Sequence, residues 1–93
     1  MKYKINKGFI TQKMGKKMTI FDGEASTLYT FNETGSYIFA KIKQGTESDK
    51  IIDKLALGFN INRQRAKKDY LEFINVLIKN KIISSLKQKK PGK

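Results

Sequence analysis

The sequence predicts an α+β domain in which a three-stranded antiparallel sheet precedes three helices. Up to Phe31 the pattern alternates with a period of two, and beyond Phe31 apolar residues recur with a period near 3.6. Gly, Asp and Asn stand where turns and helix caps would need them. With 93 residues, 39% of them hydrophobic, the chain has material for one small core and one domain.

In chain order, GFITQKM (residues 8–14) sets Phe9, Thr11 and Lys13 on one face and Ile10, Gln12 and Met14 on the other, before a turn at Gly15-Lys16. KMTIF follows and stops at Asp22-Gly23, a hairpin signal. ASTLYTF, dense in Thr, Tyr and Phe, sets Thr27, Tyr29 and Phe31 against Leu28 and Thr30. Asn32 is a good N-cap for a helix through ETGSYIFAKIK, with Tyr37, Ile38, Ala40 and Ile42 near one side and Gly45 as its stop. Thr46 is expected to cap a second helix with Asp49 at N3, turning Ile51, Ile52, Leu55 and Ala56 inward and ending at Gly58. Asn60 or Asn62 starts the third helix, which runs to about Asn80, and Ile82-Ile83 closes as a short extended or packing segment. The domain is expected over residues 8–84, with a basic N-terminal arm at 1–7 and a basic flexible tail at 85–93.

Apolar positions of the third helix spread over roughly 220° of the helical wheel, where a one-sided surface helix shows about 100° to 140°. Either the helix is clamped between the other helices and the sheet, or part of that arc lines a groove.

The net charge of +12 invites a nucleic-acid reading, but its placement weakens it. Residues 1–17 and 79–93 carry six lysines each and no acid, leaving the middle of the chain formally neutral. Three helices with a hairpin are the parts of a winged helix. Yet Arg63, Arg65, Lys67 and Lys68 scatter around the turn rather than forming a stripe, and Asp69 and Glu72 stand beside them. A small winged-helix DNA binder is therefore the runner-up reading.

Catalysis is poorly supplied. The chain has no Cys and no His, which excludes thiolate, disulfide, zinc-finger and imidazole chemistry, and it lacks phosphate-binding glycine loops. Neither an enzyme nor a cofactor or metal site is expected. No apolar run is long enough for a bilayer and residues 1–8 lack the apolar stretch of a secretory signal, so a cytoplasmic protein without membrane contact is expected.

Three segments, LYTFNETGSYIF, TESDKIIDKL and RAKKDYLEFINVLIKNKII, together resemble the PqqD-like family over residues 8–84. At the strand-to-helix junction Phe31 stands in the family's Leu position, Asn32, Thr34 and Gly35 match, and Ile38-Phe39 replaces an Ile-Trp pair. The last-helix signature is present as Asp69, Phe73, Ile74 and Leu77, with Tyr70 as the departure, and Ile82-Ile83 matches the closing aliphatic pair. The resemblance implies a winged-helix-like fold and a noncatalytic peptide chaperone, the recognition element of a system making ribosomally synthesised, post-translationally modified peptides. It would bind a precursor's leader peptide as an added strand and present it to a modifying enzyme such as a radical-SAM enzyme, a cyclase or a leader protease. Carried over by position, Ser26, Thr27, Leu28, Tyr29, Thr30 and Phe31 would supply the pairing strand, and Arg65, Asp69, Glu72, Phe73 and Val76 the helix wall of the groove. An opposite wall using Lys67, Leu71, Ile74 and Ile78 stays open, as does a generic interaction domain that forms a homodimer through its third predicted strand.

Overall fold

A computed structural model describes residues 2–85 and arranges them as β1 (Tyr3–Ile5), β2 (Phe9–Met14), β3 (Lys17–Asp22), β4 (Thr27–Phe31), α1 (Glu33–Lys43), α2 (Ser48–Gly58), α3 (Arg63–Lys79) and β5 (Ile83–Ser85). The expected sheet is present as the antiparallel order β2-β3-β4, followed by the three expected helices. The alternation also holds: Met18, Ile20 and Phe31 are buried on the helix side, while Ile10, Phe21 and Leu28 face outward. Residues 86–93, where most of the basic tail was expected, lie outside the described residues.

One strand and one pairing were not anticipated, while the extended alternative for Ile82-Ile83 is met in part by β5. Tyr3–Ile5 pairs antiparallel with Ile83–Ser85 in a separate two-stranded sheet. Asn6 clasps the pair: its main-chain N–H donates to the Ile82 carbonyl at 2.8 Å, its side-chain amide donates to the Lys81 carbonyl at 2.7 Å, and Ser84 Oγ donates to Asn6 Oδ1 at 2.8 Å.

The core joins Met18, Ile20 and Phe31 of the sheet to Ile38, Phe39 and Ile42 of α1, Ile51, Ile52 and Leu55 of α2, and Ala66, Tyr70, Ile74 and Leu77 of α3. Phe39, which the helical phase left out of the inward set, is fully buried and its ring lies 5.7 Å from that of Phe31. Tyr70 is buried with its hydroxyl 2.6 Å from Ser48 Oγ, pinning α3 to the start of α2. Burial pushes the Tyr70 phenol above its ordinary pKa, and the bond to Ser48 opposes that rise.

Caps fix where each helix begins and ends. Asn32 Oδ1 accepts from Gly35 N at 2.8 Å and Asn62 Oδ1 accepts from Arg65 N at 2.7 Å, so Asn62 rather than Asn60 opens α3. Asn60 instead takes a positive φ of 54° at the end of α2, as Gly45 does after α1 and Lys81 after α3. Thr46 does not cap α2: its N–H donates to the Lys41 carbonyl in the close of α1, and the N-cap position falls one residue later, at Glu47.

Candidate peptide-binding groove

The β4 strand forms the border of the sheet. It pairs with β3 on one side and with no other strand among the described residues. Gly23 donates to the Gly8 carbonyl at 3.2 Å, which makes those two a hydrogen-bonded pair. An antiparallel ladder alternates, so Phe21 and Thr19 bond toward β2 while Asp22 and Ile20 bond toward β4, where they face Thr27 and Tyr29. The main-chain groups left pointing at the open edge are those of Leu28 and Thr30.

Both ends of this edge are bounded. Asp22 Oδ1 accepts from the N–H groups of Glu24 and Ala25 at 3.0 and 3.2 Å, building a turn that carries on to Ser26 with φ 54°. Ser26 therefore lies before the strand and not in it, which corrects the expected pairing segment to Thr27–Phe31. At the other end Met18 N–H donates to Ser36 Oγ at 2.8 Å and Ser36 Oγ donates to the Phe31 carbonyl at 3.3 Å. The hydroxyl is inserted where a direct ladder bond would close, and β4 parts from β3 into α1.

Beside this edge runs a concavity of about 410 Å³ lined by Asn32, Thr34, Gly35, Ile38, Arg65, Asp69, Glu72, Phe73 and Val76. All five helix residues singled out from the sequence line this one groove. Arg65 Nε lies 3.4 Å from Asp69 Oδ2, a pair one helical turn apart. Glu72 makes no ion pair among the described residues, so the groove carries one net negative charge in a basic chain. The Phe73 ring meets Phe31 edge-on with centroids 4.9 Å apart, and Val76 is half-exposed on the same wall. Tyr29, on the helix side of β4, reaches Asn80 Oδ1 with its hydroxyl at 3.5 Å and spans from strand to helix end.

The first turn of α1 forms the floor, which the sequence-based site did not include. A Cβ built on Gly35 would sit 2.8 Å from Phe73 Cε1, so the absence of a side chain there lets the Phe73 ring lie against α1. The signal was available in the Asn-x-x-Gly spacing of residues 32–35. On the opposite wall Ile74 is buried in the core, while Leu71 and Ile78 face out about half-exposed. The wide apolar arc of α3 thus divides between a core face, a groove face and exposed residues. A second concavity of about 450 Å³ at the tip of the β2–β3 hairpin, lined among others by Lys16, Lys17, Tyr37 and Phe59, touches none of the candidate residues.

Residues 17–83 match the family model described as coenzyme PQQ synthesis protein D, PqqD. The chain belongs to the PqqD family. The match begins at β3 and ends at the first residue of β5, so it contains the β4 edge and the whole groove. This PqqD-family chain also shares its fold with two solved structures. TbiB1 in complex with the TbiA(beta) leader peptide superposes with a TM-score of 0.83 at 16% identity, over 95% of this chain and 100% of that one. Lasso peptide synthetase B1 complexed with the leader peptide gives 0.83 at 15% identity, over 91% and 100%. No curated protein matches the chain.

Proposed function

We propose that the chain is a noncatalytic leader-peptide recognition module: an extended leader adds antiparallel to β4, drops alternate side chains into the groove walled by Arg65, Asp69, Glu72, Phe73 and Val76, and is presented to a modifying enzyme. The observation that carries this reading is an uncharged open strand edge beside a groove that α3 and the start of α1 line together. Strand addition uses both, with main-chain bonds giving affinity and pockets for alternate side chains giving specificity. Family membership and a fold shared with two proteins solved with leader peptides support it. The enzyme served would be a radical-SAM enzyme, a cyclase or a leader protease.

The DNA reading loses support from the placement of its cations. Arg63 Nε is held 2.6 Å from Asp53 Oδ1 with Asp49 also in reach, and Arg65 is engaged by Asp69. Among the described residues no helix is long and apolar enough to cross a membrane, and no cluster of acids is placed to hold a metal ion.

The test is amide shift mapping of the isotope-labelled chain with peptides selected against it from a display library. Perturbations over residues 27–31 and along α3 are expected. Binding that leaves both regions unmoved, or tight sequence-dependent binding of duplex DNA that survives rising salt, would overturn the reading.

A further inference from the structure

The helix-free face of the sheet carries a feature that a groove on the other side does not explain. Ile10, Phe21 and Leu28 are direct cross-strand partners, forming one apolar row across all three strands. They are 65%, 38% and 62% exposed. Their neighbours on that face are Gln12, Thr19 and Thr30, which are neutral and polar. The row runs perpendicular to the strands and stops at Leu28, at the open edge.

A strand added to that edge continues the row. Because the N–H and C=O of Leu28 point outward, the residue directly across from it forms a hydrogen-bonded pair with it, and the two side chains share the helix-free face with Cβ atoms about 4.5–5.5 Å apart. The peptide residues on either side of that position turn toward the helices and the groove. We propose that Leu28 is a specificity residue that reads the second face of the bound leader, selecting an apolar side chain directly opposite it while the flanking positions are read by the groove. The leader class is thus an extended segment recognised on both faces rather than on one. This deepens the leader-binding reading and rests on it.

The experiment is a display selection of randomised linear peptides against the full chain and against Leu28→Thr, Leu28→Val and Ile10→Thr, with bound peptides placed by amide shift mapping. Expected is an apolar preference at one peptide position that is lost on Leu28→Thr and kept on Leu28→Val and Ile10→Thr. A wild-type-selected peptide should bind Leu28→Thr about two- to fivefold more weakly, the scale of one cross-strand pair. Ile10 lies two strands away, roughly 10 Å, so it reports general stickiness of the face, and equal loss on Ile10→Thr overturns the proposal. Peptides that perturb residues 27–31 but show no such preference, or one unmoved by Leu28→Thr, overturn it and leave the leader site standing. Peptides that never perturb β4 overturn the leader site and this proposal together.

Discussion

The three-stranded sheet has two borders, and they are treated oppositely. By the ladder alternation, β2 leaves main-chain groups of Thr11 and Lys13 pointing away from β3, much as β4 leaves those of Leu28 and Thr30. The β2 border is guarded. Lys43 of α1 places its ammonium 3.0 Å from Thr11 Oγ1, Lys13 stands in the strand on the helix side, and Lys16 and Lys17 follow at the hairpin. Charge, lysine above all, is how sheets keep an edge from recruiting a stray strand. The β4 border, TLYTF, carries no charge at all and opens onto the groove. A chain with 20 basic residues that puts none on one edge has left that edge available.

The sharpest way to break this contrast is proline on each border. Leu28→Pro removes an outward N–H, so peptide affinity measured by calorimetry should fall at least about tenfold while the helical circular dichroism stays. Thr11→Pro removes the equivalent donor from β2 and should leave affinity unchanged. Equal losses would erase the distinction between the edges. Next in size, Gly35→Ala forces the Phe73 ring off α1 and should weaken peptide binding severalfold. Its melting temperature should move only a few degrees, because the helix-propensity gain of about 1 kcal/mol opposes the crowding. Smaller still, Lys43→Met uncovers β2, and light scattering should then show more concentration-dependent association than in the wild type, with peptide affinity untouched.

The smallest effect is a control that acts on both borders alike. The folded-state pKa of Tyr70 is raised, so its contribution to stability is fully present below the unfolded value near 10 and is lost as pH rises past it. Melting temperature should therefore fall more steeply above pH 10 in the wild type than in Tyr70→Phe, while binding per folded molecule keeps its preference for β4.

Elements with a strong local signal were legible in the sequence. Asn32 and Asn62 cap α1 and α3 as their chemistry suggests, and the outward and inward faces of β2, β3 and β4 follow from alternation. Thr46 misled because the chain is still closing α1 there, with its N–H on the Lys41 carbonyl, and α2 begins one residue later than the capping pattern suggested. The β1–β5 pair was invisible because each strand has three residues and its partner lies at the other end of the chain. For the groove, the family resemblance supplied Arg65, Asp69, Glu72, Phe73 and Val76, whereas helical phase within α3 left the opposite wall of Lys67, Leu71, Ile74 and Ile78 open. Nor did that phase bring in Asn32, Thr34, Gly35 and Ile38, because it says nothing about which surface of α1 lies beside α3.

The Ser36 hydroxyl between Met18 and Phe31, together with the left-handed Ser26, leaves an edge on which only Leu28 and Thr30 present main-chain groups. A peptide strand laid there can form at most about four ladder bonds, each with a net contribution of about 0.5–1.5 kcal/mol before the peptide's ordering entropy is subtracted. A grip that short releases quickly unless side chains hold it. On the proposed leader-binding reading, lifetime on the module would then be governed by the groove, and an enzyme that pulled the leader's side chains away would need to undo little else for the strand to let go.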